Sequence, residues 1–394
     1  MSRYASQETN SVGYKLSAEQ LAIRELARKI SETEFRHRAL EWEEKGQFPW
    51  ANIKVLAESG LLGATIPTEY GGSGGTWLDA AVILEEIARC CYVTAMAALG
   101  ELGVQSQAIV AFGTEKHKSR YLPKMATGDL ICAICITEPD VGSDIRSIKT
   151  RAEKTSDGWV INGEKTLISR ADVAGLFIVY VRFPGEVGDE KPIGAVLIER
   201  DSAGLSVGQQ YQTLGGDALF EVSFLNCHIK DEQILAQEDG FHKMLSAFNG
   251  QRCLNASISI GIAQGAQDHA LRYAQLRQQG GRPISAYQGI RWMLADNAIQ
   301  IEAARLLVHR AVALAGGGFP TRYEAAVAKV FANEMALKVT DSVIQIFGGH
   351  GWTKEMPAER YVRWARYGPL GGGTPQIQRN GIARDLLART NATT

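Results

Sequence analysis

The chain has 394 residues, a formal net charge of −1, 45% hydrophobic residues and 22% charged residues. That length favours two or three packed units over one core, and the near-neutral charge argues against a nucleic-acid surface. No apolar run is long enough to span a bilayer. The N-terminal stretch MSRYASQETNSVGYKLSAEQ lacks the apolar core of a signal peptide, so a cytoplasmic protein is expected.

The first third reads as helical. Ser17 stands three residues before Gln20, a capping-box pattern. Leu21, Ile23, Leu26, Ala27 and Ile30 then fit one helix face. The segment IPTEYGGSGGTW, residues 66–77, is a glycine-rich break. After it, LDAAVILEEIARCCYVTAMAALGELGVQSQAIVAFG predicts helices buried on much of their surface. Glu85 and Glu86 within it are expected to cap or pair inside a helix.

Near Asp129 the pattern changes. LICAICITEP, TRAEKTSDGWVINGEKTLIS, LFIVYVRF, IGAVLIER and FEVSFLNCHI are short apolar or alternating segments separated by Gly, Asp and Pro. Helical periodicity returns over residues 240–316, over 322–347 and along RNGIARDLLAR. The expected fold is α+β, with a helical domain at 1–128, a β domain at 129–237 and a helical bundle at 238–394.

Six cysteines occur, and Cys132 and Cys135 form a CxxC. The context LICAICIT reads as a buried strand, where positions three apart point to opposite faces. No second pair stands at metal spacing, so no metal site is expected. The glycine segments do not fit nucleotide fingerprints. GGSGG is not placed from strand to helix, no GxxxxGK[ST] occurs, and GGHGW follows a helical pattern. The stretch YGPLGGGTPQIQRNG, residues 367–381, gives the backbone freedom and close approach but carries no acid, base or nucleophile.

At CITEPDVGSD, residues 135–144, the chain resembles the acyl-CoA dehydrogenase superfamily. Four further segments match the family's motifs in order: INGEKTLIS, RQQGGRPISAYQGIRWMLAD, IQIFGGHGW and GGGTPQIQR. The resemblance covers nearly the whole chain. It implies a helical N-terminal domain, a β-barrel-like middle domain and a C-terminal four-helix bundle, assembled as a homotetramer with non-covalent FAD shared across subunits. Residue by residue, it implies that Ile136, Thr137, Ser169, Thr374 and Gln376 contact the flavin. Arg277 would meet the pyrophosphate of a neighbouring subunit's FAD, with Gln345, Gly348 and Gly349 along that same cofactor. Ser143 and Arg252 would hold the CoA arm of an acyl-CoA substrate. Electron-transfer flavoprotein or O₂ would accept the electrons.

The chain departs from the family at the catalytic base. The usual member has a Glu just before the Gly-Thr of the last motif, and here that position is Gly372. Other members place it just before the Arg matching Arg252, and here that position is Gln251. Gln does not titrate usefully and is no general base. Gly372 still offers the backbone N–H that in the family holds the thioester oxygen, an oxyanion-type role. Gln251 and Gly372 are therefore the residues at the catalytic positions. Removing a positioned base typically costs ~10²–10⁴-fold, which implies a substrate with an acidic α-hydrogen or a reaction needing no α-proton removal. Leu167 and Gly280 replace larger family residues and are expected to leave room near the cofactor. His350 is the nearest replacement base by sequence, toward the adenosine end.

The resemblance implies an FAD enzyme acting oxidatively on an unusual CoA thioester, with O₂-dependent monooxygenation open to it. A second reading is desulfination, because the 3-sulfinopropionyl-CoA desulfinase branch shares the Gln at position 251 and a Gly-Gly-Thr without Glu. That branch holds its sulfinate with an Arg after the third helix, where this chain has Met96. A non-catalytic flavoprotein is the third reading.

Overall fold

The fold is taken from a computed structural model that describes residues 16–391. Residues 1–15, which carry most of the segment read above as lacking a signal peptide, lie outside it, as do residues 392–394.

Helix α1 (Ala18–Ile30) begins where the capping box predicts. The Ser17 hydroxyl accepts the N–H of Gln20, and the Gln20 side chain accepts that of Ser17. Its core-facing stripe is narrower than the sequence suggests. Ala27 is buried and Ile23 and Ile30 pack on the core, whereas Leu21 and Leu26 are 40% and 41% exposed. Positions 23, 27 and 30 follow the i, i+4, i+7 row, and 21 and 26 fall off it.

Helices α2 (Ala39–Lys45) and α3 (Trp50–Glu58) precede the glycine-rich break. The break ends at Thr76, whose N–H and hydroxyl both donate to the Asp79 carboxylate. There follow α4 (Trp77–Ala88), α5 (Tyr92–Ala98), α6 (Val104–Phe112) and α7 (Glu115–Ala126). All of α5 and nearly all of α4 are buried, as the Ala- and Leu-rich run predicts. Glu85 and Glu86 are not confined to pairing within their helix. Glu85 accepts from Arg305, and Glu86 takes Arg28 at 2.7 Å besides Arg89 at 3.4 Å in its own helix. A helix packed on so many sides places its carboxylates against neighbouring helices, and a buried charge there requires a partner.

The middle third forms one eight-stranded sheet. Its strands are β1 (Cys132–Cys135), β2 (Arg151–Lys154), β3 (Trp159–Ser169), β4 (Leu176–Arg182), β5 (Ile193–Glu199), β6 (Leu205–Gln212), β7 (Ala218–Ile229) and β8 (Ile234–Ala236). Their order is β6-β7-β3-β2-β4-β5-β8, with β1 parallel to β4. Every residue of β4 is buried, and the strand feeds two cores. Leu176, Ile178 and Tyr180 join Cys132 in one, while Phe177, Val179 and Val181 join Cys135 in the other. The CxxC cysteines thus point to opposite faces, as the strand period requires. All six cysteines are free and buried.

The C-terminal third contains α8 (Gly240–Leu276), α9 (Gln288–Ala313), α10 (Arg322–Phe347), α11 (Ala358–Ala365) and α12 (Pro375–Asn391). The helical pattern read over 240–316 is two helices separated by a hairpin, β9 (Gln278–Gln279) with β10 (Arg282–Pro283). Gly280 and Gly281 turn the chain at φ +56° and +77°, and Pro283 lacks the N–H that a continuing helix needs. Helix α8 is the spine on which α4 and α10 pack. A Cβ at Gly250 would lie 2.3 Å from the Trp77 ring, and one at Gly261 would lie 2.2 Å from the Glu85 carbonyl oxygen. Among the described residues no helix is long and apolar enough to cross a membrane.

Candidate active site

The ends of β1 and β3 meet at a buried ion pair. Lys165 is fully enclosed, and its Nζ donates to the Ile136 carbonyl at 3.0 Å and to Glu138 Oε1 at 2.9 Å. Glu138 also accepts the N–H groups of Lys149 and Thr150, at 2.6 and 2.9 Å. Burial pushes the Glu138 carboxyl upward, but Lys165 and these donors outweigh it and hold it below the usual carboxylate range. The Thr166 N–H donates to the Thr137 carbonyl at 2.9 Å. Ile136 and Thr137, just beyond β1, and Ser169, the last residue of β3, are all half-buried. The hydroxyls of Thr137 and Ser169 have no partner among the described residues.

Strand β3 is irregular beside them. Leu167 has φ +57°, is 51% exposed, and falls at a register shift between Lys165 and Ile168. Arg170 follows Ser169 at φ +65° and turns inward, where its Nη1 donates to Glu101 Oε2 at 2.9 Å and to the Ala97 carbonyl at 3.3 Å. Glu101 in turn accepts the Cys132 N–H at 3.2 Å. A Cβ on Gly100 would lie 2.2 Å from the guanidinium, so a side chain there would displace the pair. This pair ties the turn between α5 and α6 to the ends of β1 and β3. Met96, Ser169 and Arg170 line a small cavity of about 30 Å³ beside it.

The same turn meets α8. The Val104 N–H at the start of α6 donates to Gln251 Oε1 at 3.4 Å. An N–H can only donate, so the amide oxygen must face it, and the NH₂ is the end left over. That NH₂ has no partner among the described residues. Arg252 donates from Nε to the Gly372 carbonyl at 3.2 Å and from Nη1 to Asn249 Oδ1 at 2.6 Å. Gly372 and Gly373 sit at φ +73° and +93°, backbone that favours glycine. The carbonyl of Gly372 also accepts from Gln378 at 3.4 Å, while its N–H has no partner among the described residues. Thr374 uses its hydroxyl to accept the Ile377 N–H at 3.4 Å, capping α12 ahead of Pro375. Gln376 is exposed on the first turn of α12, and Ser143 is exposed in the loop between β1 and β2.

Four of the site residues lie elsewhere. Arg277 ends α8, whereas Gln345, Gly348 and Gly349 lie at the end of α10. Tyr273 joins the two ends, stacking on Phe347 at 4.2 Å and donating to the Phe347 carbonyl at 3.3 Å. All four are exposed, and no Cβ at Gly348 or Gly349 would meet an atom within 4 Å. Among the described residues no carboxylate pairs with Arg277. Gln251 and Arg277 are 26 positions apart on α8, about 39 Å at ~1.5 Å per residue. His350 stands at this far end, 3.4 Å from the Tyr273 hydroxyl. Within one chain it is remote from Gly372.

The room expected at Gly280 is taken, because a Cβ there would lie 2.6 Å from the Tyr287 hydroxyl. Sequence reasoning passed over Arg170, Glu101 and Lys329. Lys329 had a visible signal, a lone cation in the apolar run AAVAKVFA on α10.

Comparison with known proteins agrees with this architecture along nearly its whole length. The profile described as "Acyl-CoA dehydrogenase, N-terminal domain" matches residues 17–129, the middle-domain profile matches 133–227, and the C-terminal-domain profile matches 238–387. A 3-sulfinopropanoyl-CoA desulfinase of Paraburkholderia xenovorans is 36% identical, over 95% of this chain and 98% of that protein. A probable acyl-CoA dehydrogenase of Bacillus subtilis is 35% identical, over 95% of this chain and all of that protein. The solved structure of PigA with FAD and proline superposes with a TM-score of 0.89 at 26% identity, covering 95% of this chain and 99% of that one. With three profiles in order across the helical, sheet and helical parts, the chain belongs to the acyl-CoA dehydrogenase family of oxidoreductases.

Proposed function

We propose that the chain is an FAD-dependent oxidoreductase acting on an activated acyl-CoA thioester, with no carboxylate base of its own. The observation that carries this reading is the chemistry of positions 251 and 372. Gly372 offers an N–H with no partner among the described residues, suited to a thioester oxygen on which negative charge develops. Gln251 has its oxygen committed to Val104 and presents only a donor. Neither group accepts a proton, so the substrate must supply an acidic α-hydrogen or react without losing one.

The residues present fit FAD. Hydroxyls at Thr137 and Ser169 with no partner among the described residues, and the exposed Gln376, suit the polar edge of a flavin. Arg277 suits a pyrophosphate, and Gly348 and Gly349 leave space for close approach. When bound, the cofactor supplies the hydride-accepting chemistry. Arg252 orients the turn at Gly372, and Ser143 and Arg252 hold the CoA arm.

Arg277 and Gln251 are too far apart to serve one cofactor from the same chain, which supports FAD sites shared between copies in a homotetramer. Exposed Trp292, Ile299, Leu306 and Trp352 supply apolar surface for that assembly. Electron-transfer flavoprotein and O₂ are the acceptors to be compared, O₂ being that of a monooxygenase.

Desulfination is the second reading, favoured by the likeness to the Paraburkholderia desulfinase. The NH₂ of Gln251 would suit a sulfinate oxygen. Met96 supplies no cation, and the nearby Arg170 is paired with Glu101. Both readings are tested by the flavin spectrum of the purified protein on adding CoA thioesters, with and without O₂. Bleaching without O₂ means that hydride reaches FAD, and sulfite release without bleaching means desulfination. Butyryl- and octanoyl-CoA should barely reduce the flavin. Rapid bleaching by either would show that another residue supplies the base.

A further inference from the structure

Behind Gly372 lies a buried amine that the reading above does not use. Lys329 is fully buried on α10, and a Cβ at Gly372 would touch its Cε at 3.6 Å. Its Nζ donates to Asn333 Oδ1 and to the Gly368 carbonyl, both at 2.9 Å. Asn333 is itself fixed, donating to Asn255 Oδ1 at 2.9 Å and Ser259 Oγ at 2.8 Å. The amine therefore anchors the base of the turn 368–373 to the centre of the bundle.

We infer that Lys329 is a positioning residue for the thioester site. Through Gly368 it holds the turn that presents the Gly372 N–H, and its protonation state changes how firmly that turn is held. The inference rests on the reading of Gly372 as the thioester contact. Lys329 is not offered as a base, because its side chain is fully enclosed.

The hydrogen-bond accounting distinguishes the two forms. A neutral amine has two N–H donors, and both find acceptors. An ammonium has a third, for which no described group offers an acceptor. The surroundings also disfavour the charge. Arg252 on α8 repels it, Cys253 on α8 is a thiol pushed up to about 12 by burial, and Tyr367 in the turn is pushed up to about 12. Carboxylates on the same helix and on α12 are engaged elsewhere: Glu324 on α10 with Arg310 of α9, Glu334 on α10 with Arg379 of α12, and Asp385 on α12 with Arg322 of α10. Burial first, and Arg252 second, push the Lys329 amine down to about 7. The amine form, favoured above that pH, has every donor matched.

The test uses the purified protein with its flavin and butyryl-CoA as the binding probe. Wild type should bind the probe more tightly above pH 7 than below, by roughly three- to tenfold, the worth of about one hydrogen bond. Lys329→Gln keeps two N–H donors without titrating, so it should bind tightly with no inflection. Lys329→Met removes the donors and should bind weakly at every pH. An inflection that persists unchanged in both variants would overturn the inference. If wild type binds no thioester at any pH, the functional reading fails instead, and the amine is judged by unfolding. An amine that is lowered in the folded state and ordinary in the unfolded state makes stability rise between pH 7 and about 10.5. The Met variant should lack that rise, and parallel stability curves would reject a titrating Lys329.

Discussion

The two ends of α8 are built on opposite plans. Near Gln251 and Arg252 most of the helix is buried, and these two side chains are half-buried. Polar groups there are tied in a network running from Arg170 and Glu101 through the α5–α6 turn to Gly372. Near Arg277 the helix ends in solvent, beside a cation with no carboxylate partner among the described residues, two open glycines and exposed Leu276 and Trp352 at 79% and 85%. The first end is complete within one chain. The second presents exposed cationic and apolar groups suited to a binding surface. A group lost from the near end should therefore cost folding or turnover, and one lost from the far end should cost cofactor and assembly.

The largest expected effect tests the buried wall. Arg170→Met leaves Glu101 enclosed without its cation, and breaking such a pair costs about 3–5 kcal/mol. Chemical denaturation should show that loss, and an unchanged midpoint would mean that the pair is not the tie described here. Arg277→Ala comes next. A charge-assisted bond is worth about 1.5–3 kcal/mol, so FAD affinity should fall roughly tenfold or more. Fold stability should stay within about 0.5 kcal/mol. Full flavin occupancy in this variant would break the idea of a site completed by a second copy.

Gln251→Ala should lower turnover of the true substrate by roughly ten- to a hundredfold, the cost of one unmade buried bond. Gln251→Glu sharpens the reading further. A substrate with a sulfinate or carboxylate near the β-carbon would be repelled and activity abolished. A plain acyl chain would instead gain a base, and butyryl-CoA would become a substrate. Unchanged kinetics on both would make Gln251 structural. The smallest effect belongs to Tyr273→Phe, which removes the hydroxyl that reaches the Phe347 carbonyl and His350 at the far end. It should cost about 0.5–1.5 kcal/mol and leave thioester kinetics untouched.

Much of this was legible in the sequence. The capping box at Ser17 depends on residues three apart, and it forms as written. The opposed faces of Cys132 and Cys135 follow from the strand period alone. The helical, sheet and helical order was carried by local periodicity, and the identities of Gln251 and Gly372, on which the proposed function rests, are read directly from the chain. Other features were not legible. The narrower face of α1 depends on what packs against it. Glu85 found its partner 220 positions away, on a helix whose placement no local pattern contains. The space at Gly280 was filled by Tyr287, seven residues on, through a turn that periodicity does not describe.

The sequence by itself determined that neither Gln251 nor Gly372, the two residues proposed to face the thioester, is a carboxylate. That is a matter of chemical identity, and no fold can alter it. The tertiary structure alone decided what those residues do with their polar atoms. The Val104 N–H turned the Gln251 oxygen away and left its NH₂ as the free end. Arg252 and Gln378 took the carbonyl of Gly372 and left its N–H. Enclosure on α10 made a common lysine into an amine lowered to about 7. Each outcome depends on a partner distant in sequence and on the exclusion of water, and both arise only when the helices pack.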